Sequence, residues 1–343
     1  MKKLLVLALA VVLTLSLTVV ASAATFDPYV GGEFQLFYSS DMDLTNNTYL
    51  KDGSEDTPLS SAFGSGTYAR YKAYVTGTVK DEETNTWAKI GMLSKIWAGD
   101  ANVPVYEAGI KKLGDVLDIW YTNDENPNTK RGQVAIAWAG GPSSQPPAKF
   151  GGDPGFSNGI GDVLGFDYNK DNVTVNVIYG PNKDAAGDTL TAIAATIKFD
   201  GGNVWVGTRN RINDGDQTGV GMQYGLGLGT LSVDYIQEKP EDGDSVSYIQ
   251  ANMNFTDLKL DTTLLMDDGK FFGEDGGMGV GLVYNISDKY YVGAKMLSPD
   301  TEDAEDLTEY YFGIKHGVLE TRIGSCDDGN ESYTYVTVHA GMW

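Results

Sequence analysis

The sequence predicts an all-β fold, a transmembrane antiparallel up-and-down β-barrel of about eighteen strands, and three observations predict it. Connections between strand-like runs alternate long and short along the whole chain. The runs are about ten residues long, enough to cross a bilayer as a tilted strand, and apolar side chains alternate with polar ones. Beyond the N-terminal stretch, no apolar run approaches the roughly 20 residues that a membrane helix requires. An up-and-down barrel puts turns at one membrane face and loops at the other, so the rhythm of the connections is the one it needs.

Residues 1–23 read as a secretory signal. Lys2 and Lys3 form the charged start, Leu4 to Val20 the apolar stretch, and Ala21-Ser22-Ala23 the small-residue cleavage site. One domain, residues 24–343, is expected after it, with a first strand over 28–38 and no linker or soluble module. Tight connections fall at 81–85, 113–114, 169–172, 200–203, 229–230, 256–257, 287–289 and around Gly317. Gly, Asn and Asp dominate them because these residues tolerate the positive φ that such turns demand. The long polar connections are 39–65, 98–103, 122–161, 181–188, 212–217, 239–244, 268–276, 298–307 and 325–331. Eight turns and nine loops make eighteen strands, with sixteen as the alternative count.

Period two is clearest in four runs. Leu258, Leu260, Thr262, Leu264 and Met266 oppose Lys259, Asp261, Thr263, Leu265 and Asp267. Tyr310, Phe312 and Ile314 oppose Glu309, Tyr311, Gly313 and Lys315. Val173, Val175, Val177 and Tyr179 oppose Thr174 and Asn176; Ile249, Ala251, Met253 and Phe255 oppose Tyr248, Gln250, Asn252 and Asn254. Successive side chains point to opposite faces of a strand, so each run has one apolar face. Aromatics recur near strand ends, at Tyr38, Trp97, Tyr121, Tyr168, Tyr179, Tyr284 and Tyr290, where membrane interfaces hold such girdles.

The chain carries 25 Lys and Arg against 47 Asp and Glu. Removing Lys2 and Lys3 leaves 23 basic residues and a net charge of −24. Nucleic acid, which requires a basic face, is thereby excluded as an expected partner. Cys326 is the single cysteine, so no intramolecular disulfide is available, and its place in a loop marks it as an incidental thiol. His316 and His339 are the two histidines, and neither has metal-ligand spacing or a serine nucleophile motif near it. An enzyme is not expected.

The connection 122–161 is by far the longest, and a loop of that length is usually functional or disordered. It contains Pro147-Ala148-Lys149-Phe150-Gly151-Gly152-Asp153, which resembles the Pro-Glu-Phe-Gly-Gly signature in the constriction loop of the general bacterial outer-membrane porins. The segment Ala108 to Asp115 looks like that family's turn between its fourth and fifth strands, and the hairpin Val163 to Gly180 follows where the family has its next one. Trp343 loosely matches the family's terminal aromatic. The resemblance covers about a quarter of the chain. It implies a third loop folded into the lumen, a homotrimer, and an outer-membrane location in contact with lipid. Lys149 departs from the pattern, which has an acidic residue before the Phe. The count of eighteen strands also exceeds the family's sixteen and is that of sugar-selective porins.

A barrel of this size has a polar, water-filled interior. The polar parity carries Arg70, Lys72, Lys89, Lys95, Lys198, Arg209, Arg211, Lys259, Lys295, Lys315 and Arg322, together with Glu33, Asp234, Asp261, Glu309 and Glu320. Arg70, Lys72, Lys89, Arg209 and Arg211 are the expected basic wall of a constriction. Asp124, Glu125 and Asp153 are the candidate loop carboxylates, beside Lys149, Phe150, Gly151 and Gly152. Facing charges of opposite sign would set a transverse field across the pore. Gly219, Gly221, Gly225 and Gly227 share the polar parity, leaving room for an infolded loop or a neighbour, or allowing strand curvature. The acidic loops would gather cations at the mouth and could take divalent ions, although Asp214-Gly215-Asp216 and Asp242-Gly243-Asp244 lack a full ligand spacing. No cofactor is otherwise expected. The expected function is passive diffusion of small hydrophilic solutes and ions, mildly favouring cations. The alternatives are a sugar-selective channel, suggested by Trp87, Tyr248, Tyr291 and Tyr311 in the lumen, and a closed barrel acting as a structural or adhesive surface protein.

Overall fold

The structure, a computed structural model, describes residues 24–39, 67–95, 103–123, 163–180, 190–211, 215–239, 243–268, 276–300, 306–327 and 332–342. Among them are eighteen strands: β1 (Ala24–Ser39), β2 (Thr67–Asp81), β3 (Thr86–Lys95), β4 (Val103–Leu113), β5 (Leu117–Thr122), β6 (Val163–Lys170), β7 (Val173–Gly180), β8 (Leu190–Phe199), β9 (Gly202–Arg211), β10 (Gly215–Leu226), β11 (Gly229–Lys239), β12 (Val246–Phe255), β13 (Leu260–Asp268), β14 (Gly277–Asn285), β15 (Tyr290–Pro299), β16 (Leu307–His316), β17 (Leu319–Asp327) and β18 (Ser332–Met342). The strand count read from the connections is the count observed. Each strand pairs antiparallel with its successor, and β18 pairs back onto β1, so the ladder closes on itself and leaves no free edge.

The short connections hold most of the left-handed backbone. Gly114, Gly201 and Gly317 adopt it with φ of 60, 82 and 60°, and Asn85 and Asp171 with φ of 55 and 52°. Lys112 and Lys259 do so as well, at φ 55 and 52°, a conformation uncommon for side chains of that kind. Lys259, expected on the inner parity, instead sits in the turn before β13, exposed, its amide donating to the Thr256 carbonyl at 3.2 Å. The strand expected from residue 258 starts at Leu260 because Thr256 to Lys259 close the turn first.

The two faces of the ring are inverted relative to a water-soluble protein. Outward side chains are apolar and exposed: Val206 is 53% accessible, Met266 51% and Ile323 51%. Their immediate neighbours on the inner face, Trp205, Leu265 and Arg322, are 4%, 0% and 0% accessible. Tyr121, Tyr168, Tyr179, Tyr284 and Tyr290 are exposed on the outer face near strand ends, as the girdle pattern predicts; Tyr38 and Trp97 fall where side chains are not described. The inner face is less uniformly polar than the alternation suggests. Trp87, Trp120, Val163, Ile178 and Ala192 form a buried apolar patch on β3 and β5–β8.

Candidate functional site

A closed ring with a buried polar inner face makes that face the candidate site. Alternation alone delivers it: every second residue along β9–β18 points inward, and cross-strand register then stacks these residues into rows.

The five residues of the expected basic wall are not one stripe. Arg70 and Lys72 lie on β2 and Lys89 on β3, whereas Arg209 and Arg211 lie on β9, with β4–β8 between the two groups. Of the five, the side chain of Lys89 is described: it is buried on the inner face, paired in register with Glu107 and Thr78. Asp124, Glu125, Lys149, Phe150, Gly151, Gly152 and Asp153 lie outside the described residues, as do residues 1–23, where a signal is expected, Trp343 and most of the acidic loop residues. The ends of the 122–161 connection are fixed, since it joins β5 to β6, which are paired neighbours through Thr122↔Val163.

Three inner-face tryptophans follow one pattern that sequence reading missed. Trp87 Nε1 donates to Glu107 at 2.6 Å, Trp120 Nε1 to Asp167 at 2.8 Å, and Trp205 Nε1 to Asp234 at 2.6 Å, all buried. A hydrogen bond to an ionised acceptor is about twice as strong as a neutral one, and it satisfies a carboxylate that burial would otherwise penalise. Each indole lies over a glycine on the next strand: a Cβ at Gly109 would come 2.2 Å from the Trp87 ring, at Gly165 2.0 Å from Trp120, and at Gly221 2.2 Å from Trp205. The space at Gly219 and Gly221 is therefore filled from within the sheet, by Ile236 and Trp205 together with Asp234. Gly225 and Gly227 are exposed at the turn end of β10. The signal was present as glycine at the inner parity opposite a tryptophan, but it needs register to be seen.

The inner wall of β15–β18 is a second cluster, built in rows. Lys315 pairs with Glu320; Tyr291, Gly313 and Arg322 form the next row; Gly293, Tyr311, Gly324 and Tyr335 the next; Lys295 and Glu309 the one above. Rings again cover glycines: a Cβ at Gly313 would lie 1.9 Å from Tyr291, at Gly293 2.1 Å from Tyr311, and at Gly324 2.5 Å from Tyr335. Tyr291 and Tyr311 meet edge to face at 6.1 Å. The Tyr335 hydroxyl donates to Glu309 and the Tyr291 hydroxyl to Glu320. Lys295 and Glu309 form a fully buried ion pair at 3.7 Å. The Lys315 ammonium lies 5.0 Å over the Tyr291 ring, and the Arg322 guanidinium 4.3 Å over Tyr311. Among the described residues, no group of three or more His, Cys, Asp or Glu is arranged to hold a metal ion.

Trp87, Tyr248, Tyr291 and Tyr311, the four lumen aromatics of the sugar-channel alternative, all face inward and are buried. Among the described residues, the buried charged side chains are five carboxylates (Glu107, Asp167, Asp234, Glu238 and Glu309) against three cations (Lys89, Lys295 and Arg322).

No protein-family model matches the chain, and no curated protein matches it. Solved structures do. A triple mutant of the Rhodopseudomonas blastica porin superposes with a TM-score of 0.53 at 13% identity, covering 93% of this chain and 100% of that one. A structure described by the asymmetric conductivity of engineered proteins gives 0.52 at 15% identity, and another mutant of the same porin 0.51 at 13%, each with the same 93% and 100% coverage. At such identities the likeness is one of fold: this chain closes the same kind of up-and-down barrel as a bacterial porin.

Proposed function

We propose that this chain is an outer-membrane porin, a passive channel through which small hydrophilic solutes and ions diffuse, and that it is not an enzyme. One observation carries the reading. The closed ring exposes its apolar face and shelters polar and charged side chains inside, which is the arrangement for a wall between lipid and an aqueous lumen. The fold shared with porins supports it. The net charge of −22 supports a cation preference, as does the excess of carboxylates among the buried charges of the described residues. The third-loop constriction is supported by the inward apolar patch of Trp120 and Val163, on the two strands that this loop joins, continued by Ile178 on β7, which would give it a surface to pack on. Trimeric assembly, divalent ions at the acidic loops and export by residues 1–23 belong to the same reading.

A sugar-selective channel is the second reading, favoured by the four inward aromatics. Swelling of vesicles that carry the purified protein separates the two. General diffusion predicts swelling rates that fall smoothly as solute size rises, whatever the solute's chemistry. Selective uptake of oligosaccharides over smaller polar solutes would move the assignment to the sugar channel. No swelling with any solute would leave a sealed structural or adhesive barrel.

A further inference from the structure

Among the described residues, Arg322 is the most poorly satisfied charge on the inner wall. Its side chain is fully buried, and Nε, Nη1 and Nη2 all lack a hydrogen-bond partner. A buried charge without hydrogen bonds is costly, so chains that retain one usually have something to place against it. The ring beneath it, Tyr311, also carries an unpartnered hydroxyl. The two carboxylates of the cluster face other groups: Glu309 accepts from the Tyr335 hydroxyl on Oε1 and lies 3.7 Å from Lys295, and Glu320 accepts from the Tyr291 hydroxyl. Counting Lys295, Lys315 and Arg322 against Glu309 and Glu320, this part of the wall has one positive charge in excess.

We infer that the β15–β18 wall holds a binding subsite for the carboxylate of a small organic anion in transit, with the Arg322 guanidinium as its anchor and the Tyr311 hydroxyl as a further donor. What Arg322 lacks is a hydrogen-bond acceptor with negative charge. A planar guanidinium fork matches a carboxylate in two parallel N–H···O bonds, which a spherical chloride cannot make. Arg322 is three residues into β17 from the short β16–β17 turn, about 10 Å along the strand. The subsite is therefore near the turn end of the lumen, away from the acidic loops. It is shut in this structure, so an entering carboxylate has to displace the Tyr291 or Tyr311 ring.

The inference rests on the porin reading and deepens it. The test is single-channel recording of the full chain in planar bilayers, in potassium chloride, with potassium succinate added as the probe. Succinate interrupts the current in a concentration-dependent way, Arg322→Gln raises the half-blocking concentration tenfold or more, and Arg322→Lys, which keeps the charge without the fork, raises it severalfold. Tyr311→Phe, the loss of a single oxygen, raises it about twofold to fivefold and decides the matter if Arg322→Gln forms no channels. Conducting wild-type channels that ignore succinate overturn the inference and leave the porin reading standing, as does equal block in wild type and in the variants that form channels. A wild-type chain that forms no channels overturns both.

Discussion

A glycine beneath a flat aromatic ring is half of a fitted pair. On the inner wall Trp87 covers Gly109, Trp120 covers Gly165 and Trp205 covers Gly221, and each indole spends its one donor on a carboxylate. The two halves are coupled. Gly221→Ala puts a methyl 2.0 Å from Asp234 Oδ1 and 2.2 Å from Trp205 Nε1, both held by a short hydrogen bond. Overpacking of this kind costs about 1–3 kcal/mol, and breaking a bond to a charged group adds about 1.5–3. Gly221→Ala should therefore lower the urea midpoint of the refolded protein, and Trp205→Ala in the same chain should relieve part of the loss. Additive losses in the double variant would show that the ring and the glycine do not share this space. None of these pairs was legible in the sequence. Trp205 and Asp234 are 29 residues apart and meet only because β10 lies between their strands with no side chain at Gly221.

At the scale of the strand, what is local was legible and what depends on register was not. Turn chemistry and period two are set by neighbouring residues, so the alternating connections led to eighteen strands. Lys259 was misplaced by the same local reasoning: the alternation runs on through it, but the Thr256–Lys259 hydrogen bond and a φ of 52° put it in the turn. Position around the ring was not legible either, since parity assigns a face but not a place, and the five residues of the expected basic wall fall on β2, β3 and β9. Parity does make a strong claim about lipid. Val206, in the middle of β9, is exposed on the outer face between the inward Trp205 and Gly207. Val206→Arg should cost about 2–4 kcal/mol of refolding stability in lipid vesicles, the depth-dependent value for a cation at the bilayer midplane. The same change at Leu228, exposed in the short β10–β11 turn, should cost less than about 1 kcal/mol. Equal costs at the two positions would mean that the outer face does not meet lipid.

For the whole molecule, the inversion of faces and the closure of the ladder belong together. An open sheet with one apolar face would bury that face against a second layer, whereas here the apolar face stays outside and the polar one is enclosed. Enclosure also bears on how buried charged side chains are tolerated: among the described residues, tryptophan, tyrosine and lysine partners on the same wall satisfy several of them. Among the described side chains the buried charges lean toward carboxylates, and the proposed cation preference draws on that. The central claim is thus a conducting, cation-preferring barrel, and the most direct test is current through a planar bilayer that separates two concentrations of potassium chloride. The account predicts discrete, uniform current steps and a reversal potential displaced toward that of potassium. Steps that reverse at the chloride side would contradict the assigned sign of the lumen, and a membrane that stays silent would contradict the channel itself.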